Sequence, residues 1–189
     1  MRELRTNFVD VLLLHEATAE ELADENLLKT LDEFVAEGKV RRYGVGSDLS
    51  KIPGILAMER GYLQVLQLEN NPGVRAFDRF DLAGISLVIT HRAVGALGEK
   101  ICRAVVQNPS QAARWSELTG ADVKSREQLS ALLLAYSLAK NPGGKVLFST
   151  LHAGHLRANA ATAGQLKKYE PRQFDELERI VASLPAAEA

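Results

Sequence analysis

The chain is poor in cysteine, tryptophan and methionine, with one, one and two of each, and only 6% of its residues are aromatic. The lone Cys102 cannot close an internal disulfide, which excludes a disulfide-stapled fold and points to a reducing compartment. No apolar run approaches the roughly 18 residues that a membrane-spanning helix needs. The opening MRELRTNF lacks the apolar segment of a signal peptide, so a soluble, cytoplasmic protein is expected. Neither sign of charge dominates: 23 Lys and Arg face 24 Asp and Glu, for a formal net charge of −1. That balance gives no electrostatic reason to expect nucleic acid. There is no internal repeat, no low-complexity segment, no GxGxxG after a strand, no P-loop and no Cys/His set of zinc type, so no metal is expected.

The remaining composition, 46% hydrophobic and 25% charged, is that of a globular protein. At 189 residues a single domain over 1–189 is expected. Residues 8–14 and 40–46 read as strands. Between them Leu27, Leu28, Leu31, Phe34 and Val35 recur at the three-to-four spacing of a helix with one buried face. This is a βαβ unit, which implies parallel strands and a right-handed crossover. It puts His15 at the C-terminal end of a strand expected to be buried. In an α/β barrel that edge carries the chemistry.

Alternation continues. A short helix is expected from Ser50 to Gly61, with Pro53 tolerated in its first turn. Strands are expected at 63–69 (LQVLQLE), 85–90 (ISLVIT) and 145–149 (KVLFS). Helical spacing runs from Val94 to Val106, Pro109 breaks it, and 112–118 reads as another short helix carrying Trp115. Ser125 and Gln128 have the spacing of a capping box opening a helix whose core face is Leu129, Leu132, Leu133 and Tyr136. Further helices are expected at about 154–163 and 171–184.

Two stretches carry a family resemblance. VDVLLLH followed by LDEFVAEGKVRRYGVG resembles the middle of an aldo-keto reductase, where a strand ends in histidine and the next helix and strand read LDxLxxxGKxRxxGVS. VLFSTLHAGHLRAN, 146–159, resembles VIPGTSSPEHLREN of the same family without a gap. The resemblance implies a (β/α)8 barrel that binds NADPH or NADH and reduces aldehydes or ketones. The five strands would correspond to its fourth through eighth. The expected fold is thus α/β, a partial TIM barrel of about five parallel β/α units, truncated at its N-terminal side. A complete barrel takes about 250 residues. The family's catalytic tyrosine, lysine and aspartate lie on earlier strands for which this chain has no room.

By that resemblance His15 orients and polarises the substrate carbonyl; without it, a strand-end histidine satisfied by backbone groups is the ordinary reading. Ser47 stands near the family's Ser-Asn pair, and Gln67 where a glutamine bonds the nicotinamide carboxamide. His91 stands where an aromatic ring stacks on the nicotinamide. A polar interior residue and a loop histidine are the plainer readings of the last two. Ser149, Thr150, His155, Arg157 and Asn159 stand in the segment that binds the adenosine phosphate. A strand leading through small hydroxyls to a helix N-terminus also favours an anion on physical grounds, and a plain capped helix with a solvated Arg157 is the alternative. The chain departs from the family at Ala153, Gly154 and Ala158. Cys102 reads as core, and Glu16 with Glu20 and Glu21 as a solvated helix entry.

Two functions follow. The first is an NAD(P)H-dependent reductase of small carbonyl substrates, impaired because no tyrosine stands at a strand end beside a lysine. The second is a non-catalytic half-barrel that binds a nucleotide or a partner, with open sheet edges expected to promote homo-oligomers.

Overall fold

A computed structural model describes residues 3–58 and 61–185. Its five strands form one sheet in the order β1 (Val9–His15), β2 (Val40–Gly46), β3 (Val65–Glu69), β4 (Leu87–His91) and β5 (Lys145–Val146). The helices between and after them are α1 (Ala19–Leu22), α2 (Glu25–Ala36), α3 (Ile52–Leu56), α4 (Ala76–Arg79), α5 (Gly95–Gln107), α6 (Pro109–Thr119), α7 (Arg126–Lys140), α8 (Ala153–Gly164) and α9 (Pro171–Ser183). The described residues divide into two compact units, one of 3–58, 61–69, 80–89 and 143–145, the other of 70–79, 90–142 and 146–185.

In the first unit β1 runs parallel to β2, and β2 to β3, with His15 opposite Gly46 and Gly46 opposite Gln67. The two backbones approach so closely at Gly44 that a Cβ there would collide with the Val65 carbonyl oxygen. Val45, Val65, Leu66 and Leu68 are fully buried, as are Leu22, Ile52 and Ile55, and Leu31 is nearly so. Tyr43 donates to Asp32 Oδ1 of α2 at 2.6 Å. Burial and that carboxylate push its hydroxyl well above the ordinary tyrosine value.

The second unit is built on helices. Ile101 and Val105 of α5, Trp115 of α6, Leu129, Leu132, Leu133 and Tyr136 of α7, and Phe174, Leu177 and Ile180 of α9 form one apolar cluster. Tyr136 donates to Glu178 Oε1 at 2.8 Å. The same carboxylate pairs with Lys140 at 3.1 Å and Arg75 at 3.2 Å, so α7, α9 and the segment after β3 share one anchor.

Several expectations shift. β1 is half-buried rather than buried, because the first strand of the sheet has a covering neighbour on one side only. The strand expected from 63 begins at Val65, after a 3-10 turn at Gly61–Gln64. The strand expected over 145–149 pairs as a ladder only at Lys145–Val146, and Leu147 N adds one bond to Thr90 O. The helix expected from Ser50 to Gly61 occupies Ile52–Leu56, and 59–60 lie outside the described residues. Pro109 begins a helix: Asn108 caps it and Pro109 takes the first position, where its missing N–H costs nothing. The helical spacing from Val94 to Val106 and the short helix expected at 112–118 become α5 and α6, whose apolar faces enter the helical cluster.

Candidate functional site

Parallel register sets His15 and Gly46, the last residues of β1 and β2, in one row with Gln67 in the middle of β3. Register neighbours in a parallel sheet face the same way, so His15 and Gln67 share a face. Gly46 between them carries no side chain, which leaves a slot roughly two strand spacings, about 10 Å, wide. A Cβ on Gly46 would sit 3.6 Å from Gln67 Cβ, an ordinary contact, so the slot is not forced by crowding. His15 is exposed and Gln67 half-buried.

Ser47 closes the row differently. It is buried, and its hydroxyl donates to Ala17 O at 3.0 Å, tying the end of β2 to the loop after β1. Its proton is committed, so toward a ligand it offers only an acceptor. Glu16, which follows His15, has φ 53. Its N–H donates to Gly46 O at 2.6 Å, and its carbonyl accepts from Lys51 Nζ at 2.8 Å. A left-handed glutamate costs free energy and is held by such bonds.

The second unit repeats the pattern at the end of β4. His91 is half-buried, and Arg92 after it has φ 57. The carbonyls of Thr90 and His91 accept from Leu147 N at 2.7 Å and Asn70 N at 3.2 Å. The Arg92 carbonyl accepts from Asn71 Nδ2 at 3.2 Å. Nothing in the residue pattern singles out Asn71, which stands before Pro72-Gly73 as an ordinary turn residue would.

The segment 149–159 stands on local bonds. Ser149 is exposed and Thr150 half-buried. Thr150 Oγ1 accepts from His152 N at 3.1 Å and lies 3.3 Å from His155 Nδ1. The His152 and His155 rings meet edge to face, with centroids 5.1 Å apart. No side chain caps α8, and its first intrahelical bond runs from Leu156 N to His152 O. The N–H groups of the first turn are therefore left without a side-chain acceptor, beside exposed His155 and Arg157. Asn159, one turn on, is half-buried. This concentrates positive potential where an anionic oxygen can be received.

Three of the four tyrosines have their hydroxyls committed. Tyr43, Tyr62 and Tyr136 are buried, and their hydroxyls donate to Asp32, the Asp24 carbonyl and Glu178. Burial also raises Tyr169. Glu21 completes a capping box with Thr18, and Glu20 is lowered by hydrogen bonds from its backbone and Thr18. Among the described residues no group of three His, Cys, Asp or Glu is arranged to hold a metal, and no helix is long and apolar enough to cross a membrane.

No protein-family model matches the sequence, and no curated protein matches it. Solved structures do match. An aldo/keto reductase from Klebsiella pneumoniae in complex with NADP and acetate superposes with a TM-score of 0.67 at 20% identity, over 99% of this chain and 63% of that one. Aldose reductase from Giardia lamblia gives 0.66 at 15% identity, over 98% and 66%. A thermostable aldo-keto reductase in complex with the inhibitor epalrestat gives 0.61 at 18%, over 95% and 62%. The chain thus spans a little under two thirds of the length of each. Over the β/α units that it contains, this chain has the aldo-keto reductase fold.

Proposed function

We propose that the chain binds a nicotinamide dinucleotide, NADPH or NADH, in the manner of an aldo-keto reductase. The carrying observation is the uncapped N-terminus of α8 with Thr150, His155 and Arg157 around it. In this reading those residues, with Ser149 and Asn159, hold the adenosine phosphate, whose negative charge the helix end favours. Gln67 holds the carboxamide, Ser47 offers an acceptor near it, and His91 lies against the nicotinamide ring. The cofactor supplies the hydride. His15 donates a hydrogen bond to the carbonyl oxygen of a small aldehyde or ketone and polarises it. The lone Cys102 suits a reducing, cytoplasmic setting.

Carbonyl reduction also needs a proton, and Tyr43, Tyr62 and Tyr136 are buried and donate to acceptors, while the half-buried Tyr169 packs against the helical cluster. Reduction by this chain alone is therefore slow, and its substrate is a reactive aldehyde rather than a ketone. The test follows NADPH oxidation with a panel of small aldehydes. Turnover that disappears in His15→Leu supports the reductase; binding of NADPH with no turnover leaves a nucleotide-binding module.

One observation favours a partner as well. β1 exposes part of Val11, Leu12, Leu13 and Leu14, and Leu147, Phe148 and Leu151 are exposed in the second unit, Leu151 at 99%. Strand edges and apolar side chains in water favour association. We read this as self-association into homo-oligomers. Leu151→Ser is expected to lower the sedimentation coefficient at high concentration without changing the unfolding midpoint; an unchanged coefficient removes Leu151 from the contact.

A further inference from the structure

We infer that Asn71 is the positioning residue for His91, and through it for the nicotinamide end of the site. The inference rests on the reading of His91 as the group that meets the nicotinamide ring.

Three consecutive carbonyls close β4. Thr90 O and His91 O are taken by backbone N–H groups, those of Leu147 and Asn70. At Arg92 the backbone ladder has ended, and the Asn71 side-chain amide supplies the next donor, at 3.2 Å. This is also where the chain turns into the left-handed region, with Arg92 at φ 57. A non-glycine residue stays there only when its surroundings hold it. Asn71 can hold it because it is itself fixed. It is 5% exposed. Its Oδ1 accepts from Gly73 N at 2.9 Å and Val74 N at 3.1 Å, an Asx turn that sets the amide plane.

The strand end in the first unit uses the same device. Glu16 follows His15 at φ 53, and Lys51 Nζ takes its carbonyl. Both strand-end histidines thus precede a left-handed residue whose carbonyl accepts from a side-chain donor. The clamps differ: Lys51 is a half-buried flexible cation, whereas Asn71 is a buried, doubly anchored amide. A rigid amide fixes the peptide after Arg92, and so the backbone turn that follows His91, more closely than a lysine does.

The test is Asn71→Asp, which keeps the Oδ1 acceptor for Gly73 and Val74 and puts an oxygen where the donor to Arg92 stood. NADPH and adenosine 2′,5′-bisphosphate, which has no nicotinamide, are each titrated into the full chain. The expected result is NADPH binding weakened about tenfold, the scale of one lost hydrogen bond, with the bisphosphate unchanged to within about twofold. Equal weakening of both makes Asn71 a general structural residue and overturns the inference; so does no change in either. Failure of the unaltered chain to bind NADPH overturns the nucleotide reading and this role with it. If Asn71→Asp does not fold by circular dichroism, Asn71→Ser, whose hydroxyl is too short to reach the Arg92 carbonyl, is read by the same criteria.

Discussion

The row of His15, Gly46 and Gln67 and the segment 149–159 are held in opposite ways. The row exists because three strands are in register, and its backbone groups are paired across the sheet. The segment is kept by one threonine hydroxyl, a histidine pair and an uncapped helix end, with Leu151, His152, His155 and Arg157 all exposed. A change that parts the strands beneath the row therefore disturbs folding and binding together. A change in the segment reaches binding alone.

The largest effect is expected where the row is built. Gly44→Ala puts a methyl against the Val65 carbonyl and must part β2 from β3. A loss of about 1–3 kcal/mol is expected by urea unfolding, the scale of an overpacked core. Stability unchanged to within about 0.5 kcal/mol would show the strands free to separate there.

Alkaline pH comes next and acts on both units. Tyr43 and Tyr136 have their proton affinity raised, by burial first and by the carboxylates of Asp32 and Glu178 after it. In the unfolded chain they ionise near the ordinary value of about 10. The unfolded state thus binds fewer protons above that pH, and stability falls as pH rises. The contribution is fully present below about 10 and is lost above it. Melting temperature against pH checks this, and Tyr43→Phe or Tyr136→Phe should each make the decline shallower. An equally steep decline in both variants would remove these hydroxyls from the explanation.

Arg157→Ala sharpens the contrast from the other side. It should weaken NADPH binding by about tenfold, the scale of a charge-assisted contact, while unfolding stays within about 0.5 kcal/mol. Comparable losses in both would mean that the segment is as structural as the row.

Gly46→Ala has the smallest effect expected. Its methyl meets Gln67 at ordinary contact distance. Folding should change by less than about 0.5 kcal/mol, and NADPH affinity should fall by a few fold. Unaltered affinity would show that the slot between His15 and Gln67 stays vacant when nucleotide binds.

The sheet was largely legible because period and spacing carry it. LLKTLDEFVAEG gives α2 by its apolar stripe, and Val40 to Gly46 is a strand to the residue. What failed depended on neighbours. The VLLL run looks like a buried strand, but burial is set by how many strands flank it, and β1 has one. KVLFS has the residues of a strand, yet only two of them pair. Pro109 looks like a stop in the sequence because the same residue ends one helix and opens another, and only Asn108 beside it distinguishes the two. The Ser125 box is half present: Ser125 accepts from Gln128 N, but the Gln128 side chain takes Asp122 N. His15 and Gln67 were found by motif and fall in one row, whereas Asn71 shows only in the geometry, since an Asn-Pro-Gly turn looks the same whether or not its amide reaches another strand.

The most direct test is equilibrium titration of the full chain with NADPH, followed by nicotinamide fluorescence, with sedimentation on the same sample. Saturable binding by a folded chain, lost in Arg157→Ala, is the expected result. A folded, monodisperse chain that leaves NADPH fluorescence unchanged would contradict the nucleotide site and leave only the fold.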